Sequence, residues 1–115
     1  MHRHAADNEN LSSGLSQTNT EAIVRILLAQ KAVEKILLFG SRARNDHKNT
    51  SDIDIAIVDA HWTDRDINLA KDALEEKIKT PLKMDLVNYH RLKNKRLKQH
   101  ILEEGQTLYD STKNS

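Results

Sequence analysis

Apolar positions along the chain change their period several times, and each change predicts an element. From residue 20, Ile23, Ile26 and Leu27 recur at helical spacing, with Val24 and Leu28 widening the apolar side. Thr18-x-x-Glu21 has the form of a capping box, so a helix is expected over 20–31. Ile36-Leu37-Leu38-Phe39 is a short apolar run that stops at Gly40, which predicts a strand. Residues 42–51 are polar and irregular. Over 53–58 the alternation is plain: Ile53, Ile55 and Ile57 face one way, and Asp52, Asp54, Ala56 and Val58 the other. Thr63-x-x-Asp66 then opens a stripe of Ile67, Ala70, Leu74 and Ile78, a helix over 64–79 that Pro81 closes. A third strand is expected over 82–89, with Leu82, Met84 and Leu86 opposite Lys83, Asp85 and Val87. A basic helix over 90–104, with Leu92, Leu97, Ile101 and Leu102, ends at Gly105, and 106–110 reads as a short last strand. Strands interspersed with helices in one short chain predict an α/β (α+β) domain, a sheet covered by helices.

Composition narrows the class. The 115 residues suffice for one domain, without repeats or a Pro/Gly-rich linker. Residues 1–17 have no usable period and are read as a disordered lead-in. The domain is then expected over 18–110, with a short tail over 111–115. Lys and Arg number 18 against 17 Asp and Glu, a formal net charge of +1, which argues against a protein that grips long nucleic acid through a basic face. The four aromatics (Phe39, Trp62, Tyr89, Tyr109) are too few for a base-stacking platform, and Trp62 reads as a packing residue. Without cysteine there is no disulfide scaffold, thiolate-ligated zinc or thiol catalysis. No apolar run reaches membrane-span length and no signal-peptide pattern opens the chain, so a soluble, cytoplasmic domain away from the membrane is expected.

The candidate chemistry starts from carboxylates in unusual places. Asp is depleted in strands, and like charges on one face repel. Yet Asp52 and Asp54 lie two apart on one side of an otherwise apolar strand, and residues 51–58 contain no Lys or Arg. An isolated Asp-x-Asp is usually a turn end beside a solvated position. The functional alternative is that a cation offsets the repulsion, and Mg²⁺ prefers one or two carboxylates together with substrate phosphates. Asp85 is a third carboxylate inside an alternating strand. Should the second and third strands lie side by side, three acidic groups meet at one place. Gly40-Ser41 ends the first strand, where a glycine lets backbone amides approach an anion and the Ser hydroxyl adds a donor. Arg42 and Arg44 follow and suit phosphate charge. This is not the Walker phosphate loop, because no Gly-Lys-Ser/Thr is present. The run Arg91, Lys93, Lys95, Arg96 and Lys98 fits an RNA or acidic partner, though a solvated face is the commoner explanation. His47 and His61 have no visible partner and read as exposed.

The stretch LFGSRARNDHKNTSDIDIAIV (Gly-Ser, ten residues, Asp-x-Asp) resembles the signature of the DNA polymerase beta-like nucleotidyltransferase superfamily. The chain is similar to its minimal nucleotidyltransferase branch, which includes antitoxins encoded beside HEPN-domain toxins. The resemblance covers about residues 20–110 and implies that superfamily's fold, a small mixed sheet flanked by helices. It also implies that Gly40 and Ser41, with Arg42 and Arg44, hold the triphosphate of ATP or another nucleoside triphosphate. Asp52 and Asp54 would bind two Mg²⁺ ions, and Asp85 would complete the catalytic site as a metal ligand or general base. Asn45 stands where many relatives carry Gly, and Asn tolerates left-handed backbone better than most residues. The expected activity is transfer of AMP to a hydroxyl. The acceptor is expected from another chain or a second copy of this one, because no residues are left for a helical acceptor-presenting domain. In the antitoxin pairing it would be a tyrosine of a helical HEPN-type toxin. A non-catalytic antitoxin and a small-molecule transferase similar to aminoglycoside nucleotidyltransferases are the alternatives.

Overall fold

The computed structural model describes residues 17–40, 53–78 and 83–113. Three α-helices accompany a four-stranded mixed sheet among them: α1 (Gln17–Gln30), β1 (Lys35–Phe39), β2 (Ile53–Val58), α2 (Asp64–Lys77), β3 (Met84–Asn88), α3 (Lys95–Glu104) and β4 (Gln106–Asp110). The sheet order is β3-β2-β1-β4. β1 pairs antiparallel with both β2 and β4, whereas β2 and β3, joined through α2, are parallel. A parallel neighbour requires such a crossover, and a helix supplies it. The register of β1 with β4 shifts between Ile36 and Leu37. The expectation of an α+β sheet covered by helices holds, and the strands over 53–58 and 106–110 have the anticipated bounds.

Alternation along the strands divides the apolar residues between two faces. On one, Ile36, Leu38, Ile53, Ile55, Ile57, Met84 and Leu86 pack with Ile23 and Leu27 of α1 and with Ile67, Ala70 and Leu74 of α2. Trp62 belongs to this core at 1% exposure, and its indole Nε1 donates to the Ala32 carbonyl at 2.8 Å. On the other face, Leu37 and Ala56 meet Ile101 of α3, with Phe39, Val58, Val87 and Leu97 around them. Asp54 shares a side with Ala56 and Val58, and Asp85 a side with Val87, so both carboxylates belong to the face that α3 covers in part.

α2 begins as Thr63-x-x-Asp66 requires. The Thr63 hydroxyl accepts from Asp66 N at 3.1 Å and the Asp66 carboxylate accepts from Thr63 N at 2.9 Å. The same carboxylate takes a hydrogen bond from Lys31 Nζ at 2.8 Å, and Lys31 also donates to the His61 carbonyl at 2.6 Å. Lys31, first of all, and the Thr63 amide hold the Asp66 carboxyl at about 2 rather than 3.8.

Several boundaries differ from the sequence reading. α1 already runs at Gln17, so Thr18 lies inside its first turn and cannot cap it; a nucleated helix extends through polar residues that contain no breaker. α2 ends two residues early because Ile78 leaves helical geometry as its C-cap. β3 spans Met84–Asn88, shorter than 82–89, and Leu82 lies outside the described residues. The single helix over 90–104 is in fact two pieces. Asn88 Oδ1 accepts from His90 N at 3.2 Å and starts a 3₁₀ turn, Tyr89–Arg91; Asn94 Oδ1 accepts from Leu97 N at 3.1 Å and starts α3. Asn side chains compete for backbone donors and so set caps where a hydropathy pattern shows continuity. The expected lead-in lies outside the described residues up to Ser16, and no described helix is long and apolar enough to cross a membrane.

Candidate active site

The site is built where β1 ends beside the first residues of β2 and β3. Phe39, last residue of β1, pairs with Asp54, and Asp54 pairs on its other side with Asp85. Neighbouring strands lie about 4.8 Å apart, so this register places two carboxylates side by side on one face. Like charges so placed repel unless something offsets them. One offset is visible: Lys71 Nζ of α2 stands 3.8 Å from Asp85 Oδ1, reaching it around the edge that β3 forms.

Gly40 follows β1 with φ +79°, a conformation that side-chain-bearing residues rarely adopt. A Cβ there would lie 2.7 Å from Asp54 Oδ2, closer than real Cβ contacts come. The glycine is therefore required twice, by its backbone angle and by the carboxylate that occupies the space of its side chain. Backbone and carboxylate oxygen meet as closely as the chain allows.

The structure thus brings together Gly40, Asp54 and Asp85 of the expected residues. Ser41, Arg42, Arg44 and Asp52, together with Asn45 and His47, lie outside the described residues. Among the described residues, no three His, Asp or Glu side chains form a metal-binding group. Mg²⁺ asks for less: one or two hard carboxylates, with water and substrate phosphates filling the rest. Adjacent Asp54 and Asp85, in a cradle that a Cβ would fill, meet that demand.

Sequence reasoning missed Lys71, which sits at an ordinary polar position of α2 with nothing in the periodicity to mark it. The basic run disperses. Lys98 lies 4.9 Å over the Tyr89 ring, Arg91 faces Asp64 at 3.6 Å, and Lys93, Lys95 and Arg96 are exposed. His61 is exposed as expected, but it is not without company: its Nδ1 stands 3.5 Å from Asp59 Oδ1.

Residues 21–114 match the family described as "Polymerase beta, Nucleotidyltransferase". The chain belongs to this family. Among solved structures, this nucleotidyltransferase is similar to a toxin-antitoxin crystallised with AMP-PNP, at 28% identity and a TM-score of 0.64, over 80% of this chain and 73% of that one. It is similar also to a mutant of the toxin-antitoxin MntA-HpeT, at 26% identity and TM-score 0.63, over 79% of this chain and 73% of that one. The toxin-antitoxin MntA-HepT shares the fold at 24% identity and TM-score 0.59, over 86% and 76% of the two chains. No curated protein matches.

Proposed function

We propose that this nucleotidyltransferase is a Mg²⁺-dependent enzyme that moves AMP from ATP to a hydroxyl of a partner protein, and that it acts as the antitoxin of a helical, HEPN-type toxin. The observation that carries the reading is the register pair Asp54–Asp85 against Gly40. Two strand carboxylates held side by side, on a face only partly covered, are costly unless a cation and a polyanion complete them. The toxin-antitoxin crystallised with AMP-PNP supports the choice of an adenine nucleotide and of a toxin partner.

In this reading Asp54 and Asp85, with Asp52, hold the magnesium ions. When bound, the metal supplies positive charge to the phosphates and lowers the pKa of an attacking hydroxyl. Gly40 keeps the phosphate turn free of side-chain bulk, so that backbone amides and the Ser41 hydroxyl can donate to the triphosphate. Arg42 and Arg44 neutralise its charge. Asp85, which stands at the sheet edge 3.8 Å from Lys71 Nζ, accepts the acceptor's proton or completes the metal shell in this reading. Positioning and charge compensation account for most of the rate in such transfers.

Incubation with α-labelled ATP and Mg²⁺, with and without the product of the neighbouring gene, tests the proposal. Label on the partner's tyrosine is expected. Label nowhere supports a binding-only antitoxin, and label on an added aminoglycoside a small-molecule transferase; either overturns the proposal.

A further inference from the structure

Beside the proposed phosphate turn lies a feature that the acidic pair does not explain. On α3, Leu97, His100, Ile101 and Glu104 recur at i, i+3, i+4 and i+7 and so share one helix face. With Phe39 and Gly40 they enclose a hollow of about 120 Å³. Pockets for whole drug-sized ligands measure roughly 300–1,000 Å³; this smaller space suits one phosphate-sized group at the end of a larger molecule. Its inner wall is apolar and already packed: Ile101 is buried and Leu97 lies against the sheet. Its outer wall is polar, and His100 is exposed there, committed to no core contact.

Charge decides what the hollow takes. Glu104 lines it, and the Asp54 carboxylate lies close against Gly40. A triphosphate tail brought to this turn adds further negative charge and needs donors. Among the described residues that line the hollow, His100 is the one whose side chain can carry positive charge, and its ring N–H donates in either protonation state. We infer that His100 is a binding residue for the distal phosphates of the nucleoside triphosphate, donating from its imidazole to a β- or γ-phosphate oxygen beside Gly40. The inference rests on the nucleotide reading above and adds to it a contact from α3, an element outside the Gly-Ser and Asp-x-Asp motifs.

NMR titration of the full chain, which reads weak as well as tight binding, tests it with Mg²⁺-ATP, inorganic pyrophosphate and AMP as probes. His100→Ala is expected to weaken ATP and pyrophosphate about tenfold, the size of one charge-assisted hydrogen bond, and to leave AMP unchanged. His100→Lys should recover most of the loss, which a merely structural role would not allow. Equal weakening of all three ligands, or of none, overturns the inference while leaving the nucleotide reading in place. Wild-type protein that binds no nucleotide overturns both.

Discussion

Gly40 and Asp54 depend on each other. Because the carboxylate occupies the space of a side chain at Gly40, and because φ is +79°, Gly40→Ala should cost about 1–3 kcal/mol of stability and push the Asp54 carboxylate aside. Urea denaturation reads the first effect and labelled-ATP transfer the second. Asp54→Asn is expected to keep the circular dichroism spectrum and abolish transfer. Lys71→Met removes the counter-charge of Asp85, a half-exposed pair worth about 0.2–1 kcal/mol. Its melting temperature should fall slightly in chelator and return to the wild-type value in Mg²⁺, since a bound cation replaces the lost ammonium. Asp54, Asp85 and Gly40 were legible because each breaks a local rule: an acid in an apolar strand, or a glycine at a strand's end. Lys71 and His100 break none. Their significance comes from what the fold sets beside them, and periodicity carries no trace of that.

At the scale of elements, caps decided more than hydropathy. The Thr63–Asp66 box was readable because both partners lie in one turn; the same letters at Thr18 and Glu21 failed because the helix had already begun. Asn94 is hidden for the converse reason: a polar residue in a basic stretch has the pattern of a solvated helix position, and only the fold brings its side chain onto Leu97 N. Thr63→Ala should cost about 1 kcal/mol. The Asp66 carboxyl also makes α2 acid-sensitive. Its folded-state pKa, about 2, lies below the ordinary 3.8, so the native state binds fewer protons there than the unfolded chain. Its contribution is complete above pH 3.8 and is lost as the pH falls towards 2. In acid titrations followed by fluorescence of Trp62, Lys31→Met should lower stability at neutral pH, flatten the profile within that window and converge on the wild type towards pH 2.

Across the whole molecule, the two-faced sheet explains why the fold class was legible and the topology less so. Alternation assigned Ile53, Ile55 and Ile57 to one side and Ala56 to the other, as found. It does not encode strand order or direction, which follow from the return through α2 that sets β3 parallel beside β2 and from β4 adding beside β1. Trp62 ties this arrangement together at the junction of α1, α2 and β3, donating to Ala32 while its own carbonyl accepts from the buried Asn88 at 2.6 Å. Trp62→Phe, which leaves the Ala32 carbonyl without that donor, should cost about 1–3 kcal/mol in urea denaturation followed by circular dichroism. The parallel pairing has a temporal consequence. Asp54 and Asp85 are 31 residues apart in sequence and become neighbours only when β3 docks through a non-local crossover. Such pairings form after local ones, because loop closure precedes any reward. A nascent chain that has emerged only as far as α2 therefore carries Gly40 and Asp54 yet lacks Asp85. The side-by-side pair of acids is complete only once β3 has joined the sheet, and no shorter nascent chain holds it.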